Sequence, residues 1–366
     1  MSNIKYTGYF NSISGMGHAC RNYIKALNDA GVSVTADLAP NITTEKNLGE
    51  AHDVCQLLYG RDINYKIKII HTTPDAVTNF LEPMKYHIFH LFWETDKVPQ
   101  WWVWALNLVD EIWTGSEYNK KAFIDSGVKK PIYVFPQPIE NPGEMGTVET
   151  NKFTFYSIFQ WIERKDPKKL LQAYWKEFRN EKDVCLMIKT YKERFTRGET
   201  SEILRNIDSW KKELNFKTYP EVRLCLEELS RDQIWNIHNS GDCFVLPHRG
   251  EGWGIPIAEA MMAGNPVIST NLGGIHGHVP LKYWYPIGHE KVNVFNMDFS
   301  PWYNSDQMWG NVSERMLRDK MREVFKFRNK AKEKGKKARE FVLENFSYLS
   351  VGNRLKERLA EIEINL

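Results

Sequence analysis

The chain has 366 residues, 42% hydrophobic and 26% charged, and a net charge of +3. That length carries about two domains, each able to bury its own core. The near-neutral charge offers no electrostatic footprint for nucleic acid, and the composition is that of a soluble globular protein. Cys20, Cys55, Cys185, Cys225 and Cys243 are far apart and show no metal-ligand spacing. They read as reduced core thiols, which with the absence of a signal-peptide core in MSNIKYTGYF points to a cytoplasmic protein. Thirteen Trp fit stacking on sugar rings and fit a large core equally well.

In chain order, Ile4 to Phe10 reads as a strand. A loop with Gly15 and Gly17 follows, then a helix from about His18 to Asp29. Short apolar strands follow at Val32 to Ala36, Lys66 to His71, Tyr86 to Leu91, Glu111 to Thr114 and Ile132 to Phe135. Helical segments lie at Trp101 to Leu108 and Glu117 to Asp125. This alternation predicts parallel βαβ units; residues 37–64 give no clear pattern. Pro136, Pro138, Pro142 and Gly143 mark a linker. A second α/β series then runs from Phe153, with strands at Phe153 to Phe159, Val184 to Lys189, Val222 to Leu226 and Cys243 to Leu246. Basic residues crowd Lys326 to Arg339, with Glu333 among them, as on a solvated helix face. Tyr348 to Ile364 has apolar residues at helical spacing.

The most informative segment is GEGWGIPIAEAMMAGNPVIST, from Gly250. Strand Cys243 to Leu246 feeds an exposed turn with three glycines in five residues. Pro256 suits a helix start and Gly264 its end, before a second buried strand. At the carboxyl edge of a parallel sheet, free amides at such a helix start favour an anion such as phosphate. Glu251 and Glu259 frame the turn, and ionised carboxylates accept hydrogen bonds from hydroxyl-rich ligands. Read alone, Glu259 in the helix's first turn equally complements the dipole, and Glu251 equally suits a solvated loop.

Glu-x7-Glu in this setting resembles the motif of retaining, nucleotide-sugar-dependent glycosyltransferases of the family-4 type. The resemblance implies an α/β GT-B fold: two Rossmann-like domains facing across a cleft, 1–140 for the acceptor and 141–345 for the donor. A last helix, 346–366, would cross back to the N-terminal domain. It implies that Glu259 holds the ribose and Glu251 the donor-sugar hydroxyls. Lys165, with Arg164 beside it, would hold the diphosphate; Gln160 stands where the family commonly has an Arg. Amides near Gly15, Gly17, Gly252, Trp253, Gly254 and Ile255 would complete the anion site. In FWETDKVPQWW and the strand before it, His90 or Glu94 is placed near the donor sugar.

No Asp-x-Asp pair, GKS/GKT phosphate loop, GxSxG elbow or HExxH helix is present. The expectation is therefore a metal-independent transferase without a cofactor, using a nucleoside-diphosphate sugar as co-substrate and a glycan, lipid-linked or small-molecule hydroxyl as acceptor. No nucleic-acid partner is expected, and peripheral membrane contact is not indicated. A GT-B nucleotide-sugar epimerase and a non-catalytic sugar-nucleotide or glycan-binding protein are the alternatives.

Overall fold

Strands that are apolar on every residue need cover on both faces, which a parallel sheet flanked by helices supplies. The computed structural model describes residues 3–40, 47–143, 151–297 and 299–366, and it contains two such sheets. One unit comprises Met1–Asn141, Gly273–His278 and Val342–Leu366; the other comprises Pro142–Leu272 and Val279–Phe341.

The first unit holds strands β1 (Asn3–Gly8), β2 (Ser33–Leu38), β3 (Ile67–His71), β4 (Tyr86–His90), β5 (Glu111–Thr114) and β6 (Ile132–Val134). Their order is β2-β1-β3-β4-β5-β6, all parallel. Helices α1 (Gly15–Asp29), α2 (Glu50–Leu58), α3 (Gln100–Leu106) and α4 (Glu117–Ser126) connect them. Helix α1 starts earlier than the sequence suggests, because the Ser14 hydroxyl caps it by accepting from Gly17 N. The unclear stretch 37–64 contains α2; residues 41–46 of it lie outside the described residues.

The second sheet has β7 (Phe153–Gln160), β8 (Val184–Tyr191), β9 (Glu221–Cys225), β10 (Cys243–Leu246), β11 (Val267–Thr270) and β12 (Tyr285–Ile287). It runs β12-β11-β10-β7-β8-β9, again all parallel. Helices α5 (Pro167–Glu177), α6 (Arg197–Leu214), α7 (Arg231–Ser240) and α8 (Ile255–Met262) lie between the strands. An antiparallel ribbon of β13 (His289–Asn293) and β14 (Met308–Val312) is inserted before α9 (Glu314–Lys326) and α10 (Arg328–Phe346). The sequence pattern gave no hint of that ribbon.

The last helix, α11 (Tyr348–Ile364), belongs to the first unit. Its Val351, Leu355, Leu359 and Ile362 join the core formed by Ile4, Tyr6, Ile24 and Leu27. Arg358 anchors it further, pairing with the fully buried Glu111 of β5 at 2.5 Å. Among the described residues no helix is long and apolar enough to cross a membrane.

Candidate active site

In an open parallel sheet, ligands bind beyond the carboxyl ends of the strands where the strand order reverses. In the second unit that point lies between β7 and β10: the chain proceeds from β7 outward to β9, then returns to place β10 on β7's other side. The loops after these two strands carry Arg164, Lys165 and Glu251, so topology alone brings them together across 86 positions of sequence.

The loop after β7 makes a 3₁₀ turn over Glu163–Lys165 and ends at Asp166, whose left-handed backbone (φ 51°) turns the chain into α5. Arg164 and Lys165 are each 8% exposed, so they are not a pair of surface charges. The Lys165 ammonium pairs with Glu251 Oε1. Arg164 donates to Gly250 O at 2.9 Å and stands 3.7 Å from Glu251 Oε2. Gln160 turns its amide to Lys192 O at 2.6 Å and supplies no charge here. The result is one carboxylate beside two cations, a local excess of positive charge suited to an anion.

The glycine turn expected to be exposed is buried from Gly250 through Gly254; Glu251 is 6% and Trp253 3% exposed. Only Gly254 of its three glycines has a positive φ, 90°, and it is the N-cap of α8. No side chain caps that end and Pro256 lies in its first turn, so the helix dipole ends at this turn with no side chain on its first amides. Behind the turn, Arg249 acts as a strut. Its guanidinium reaches Asp166 at 2.8 Å, Glu163 at 3.0 Å and Asn311 at 2.9 Å, and its carbonyl accepts from Gly310 N at 2.7 Å. The β13–β14 ribbon thus braces both loops.

Glu259 lies in the second turn of α8, not the first, and is 3% exposed. Arg231, the first residue of α7, meets it at 2.6 Å, and His238 Nε2 lies 3.4 Å away. Burial holds the His238 pKa down, partly offset by Glu259. His238 Nδ1 in turn shares a hydrogen bond with the Tyr156 hydroxyl at 2.9 Å. A ribose at Glu259 would share the carboxylate with Arg231.

The first unit holds the remaining candidates. A Cβ on Gly17 would lie 2.3 Å from Ser12 O, so glycine there allows the tight strand–helix corner, and its amide is taken by Ser14. Gly15, at the start of α1, is exposed. His90, expected near the donor sugar, is 0% exposed. Its Nδ1 lies 3.2 Å from the Tyr6 hydroxyl and its ring stacks on His71 at 4.5 Å. Burial, and then His71, hold it well below the usual imidazole range, so it is a neutral core residue. Glu94 is half-buried in the loop after β4. Burial first, then Asp96 and Glu94, push the Tyr118 hydroxyl up.

Residues 210–279, which contain Glu251 and Glu259, match the family model described as glycosyl transferases group 1. Anabaena HepE, solved in complex with UDP and glucose, superposes with a TM-score of 0.70 at 12% identity, covering 99% of this chain and 100% of that one. The sucrose-phosphate synthase of Thermosynechococcus elongatus gives 0.71 at 12% identity, covering 100% of both chains. The chain has the GT-B fold of these structures, and the match to glycosyl transferases group 1 covers residues 210–279. The sulfoquinovosyl transferase SQD2 of Arabidopsis thaliana is 38% identical over 52 residues, which is 14% of this GT-B chain and 10% of that relative.

Arg231, His238 and Arg249 are not legible in the sequence, because each acts through a partner distant in sequence. Lys189 is a visible anomaly, a charged residue inside the strand VCLMIKTY.

Proposed function

We propose that the protein is a retaining, metal-independent glycosyltransferase. It moves a sugar from a nucleoside-diphosphate sugar to a hydroxyl of a glycan, a lipid-linked or a small-molecule acceptor. The observation that carries this reading is the group of Lys165, Arg164 and Glu251 at the switch point of the second sheet. Its neighbour is the side-chain-free N-terminus of α8.

In this reading the diphosphate lies against Lys165, Arg164 and the amides of the Gly254–Ile255 turn. An ionised carboxylate has about four lone-pair sites, so Glu251 keeps acceptor capacity for sugar hydroxyls while paired with Lys165. Glu259 receives the ribose hydroxyls, and the first unit binds the acceptor. As the anomeric bond breaks, charge grows on the leaving diphosphate. Fixed cations that meet this charge lower the barrier more than they tighten ground-state binding. The acceptor hydroxyl attacks from the leaving-group face, and its proton passes to the departing phosphate.

The test follows release of nucleoside diphosphate from a panel of sugar nucleotides with candidate acceptors, and the product anomer by NMR. Lys165→Ala should lower kcat by about 10²–10³, and activity should persist in EDTA. An inverted anomer, a fully active Lys165→Ala enzyme, or EDTA inactivation reversed by Mg²⁺ or Mn²⁺ would each refute part of the reading.

A further inference from the structure

Four lysines are buried among the described residues: Lys25, Lys68, Lys165 and Lys189. Three sit on carboxylates, Lys25 on Asp29, Lys68 on Glu82 and Lys165 on Glu251. Lys189 has no such partner. It is 4% exposed, and among the described residues no group accepts a hydrogen bond from its Nζ. Instead the amine lies 4.4 Å from the Phe195 ring centroid and 5.4 Å from that of Tyr191. Burial holds its pKa down to about 8, with Cys225 and Glu228 nearby opposing that fall. Lysine is almost never buried without a partner unless something else uses the charge.

Its surroundings have the form of a site. Strand register places Lys189 beside Ile158 of β7 and Cys225 of β9, on the sheet face that carries Tyr156. Tyr156 bonds His238, so this is the face covered by α7, whose Arg231 holds Glu259. Toward the strand's carboxyl end, Tyr191 and Phe195 stack at 4.6 Å and 18°. Phe195 has a φ of 57°, a conformation that side chains rarely adopt. The Glu199 carboxylate fixes that loop by accepting from Arg194 N at 2.9 Å and Phe195 N at 3.0 Å. Tyr191 also feels the Arg164 guanidinium, and Trp161 N donates to Tyr191 O at 2.6 Å, so this wall adjoins the diphosphate cations. A buried donor-only group next to a rigid aromatic pair, on the face that α7 covers and one strand from the loop of the diphosphate cations, matches a planar ring bearing a carbonyl.

We propose that Lys189 reads the base of the donor nucleotide, donating to a keto oxygen of a base such as uracil or guanine, with Tyr191 and Phe195 as the adjoining wall. An amino group at the same edge, as in cytosine or adenine, presents hydrogens to an ammonium and is rejected. This inference rests on the nucleotide-sugar reading above.

The experiment is calorimetric titration of the full chain with two matched pairs, UDP against CDP and IDP against ADP, plus pyrophosphate. Each pair differs at the keto or amino position. The wild type should prefer the keto member of at least one pair by about 10-fold or more. Lys189→Met should bring the ratio close to one while leaving pyrophosphate affinity unchanged. Lys189→Gln, whose amide both donates and accepts, should shrink the ratio, and melting curves check that both variants fold. An unchanged ratio in folded Lys189→Met overturns the inference. So does an equal loss for every nucleotide and pyrophosphate, which would make Lys189 a phosphate contact. Nucleotide binding with no keto preference in the wild type sinks the role of Lys189 alone. No binding of any nucleoside diphosphate sinks the proposed function itself.

Discussion

Replacing Lys189 by Met should make the ligand-free protein more stable. The amine's pKa falls from an ordinary 10.5 to about 8 on folding, chiefly through burial, with Cys225 and Glu228 acting in the opposite direction. Below pH 8 the amine is protonated in both states, and the folded state carries the whole desolvation cost. Between about 8 and 10.5 the unfolded chain binds more protons than the folded one, so stability rises with pH. Above 10.5 the cost is gone. At about 1.36 kcal/mol per pH unit the difference comes to about 3 kcal/mol, and 4% exposure leaves little solvent screening to reduce it. Methionine fills similar space without charge. The expected gain at pH 7 is therefore about 2–3 kcal/mol, or roughly 4–10 °C in melting temperature for a unit of this size. Urea denaturation at pH 7 and pH 10, followed by tryptophan fluorescence, measures it. The advantage of Lys189→Met should shrink markedly at pH 10. A destabilised variant at pH 7, or a gain independent of pH, would refute the reasoning.

Gly352→Ala should loosen α11, since a Cβ would lie 2.1 Å from the Ala26 carbonyl oxygen of α1; overpacking of this kind costs about 1–3 kcal/mol, read as a lower urea midpoint. Arg358→Met leaves Glu111 buried without its cation, so it should cost about 3–5 kcal/mol. The double variant with Glu111→Gln should recover most of that in the same assay. Glu259→Met should lower stability by stranding Arg231, and Arg231→Met added to it should restore the fold. If Glu259 holds the ribose, the refolded double variant should still bind nucleoside diphosphate at least about 10-fold more weakly than the wild type; full affinity by titration would remove Glu259 from the site.

A strand buried on both faces is legible where every residue is apolar, which is why β10, CFVL, falls at the bounds its sequence suggests. Helix α2 was illegible for a local reason: its N-cap is Gly49, with no side-chain hydrogen bond to announce a start. Glycine, proline and apolar runs encode locally that the segment with Glu251 lies at a sheet edge. What surrounds each charge is set by the fold and is not written locally. Glu251 reads as a solvated loop carboxylate until the fold sets Lys165 and Arg164 on it. His90 reads as a strand-end polar group until Tyr6, Tyr23 and His71 enclose it. Linear ranges also cannot express a unit that takes Gly273–His278 from the middle of the chain.

The position of α11 sets an order of assembly. The first unit's core needs Val351, Leu355, Leu359 and Ile362, yet the whole second unit is encoded between those residues and β1. As the chain leaves the ribosome, the second sheet and its helices can close while the first sheet still lacks a helix over α1. The late contacts span more than 300 positions, as the bond from Lys356 Nζ to Ala30 O shows with a separation of 326. Prior folding of the second unit shortens that effective loop and so lowers the entropy of closing it. Until then the apolar face of α1 is open, and the nascent first unit is the part of the molecule most exposed to aggregation or chaperone capture.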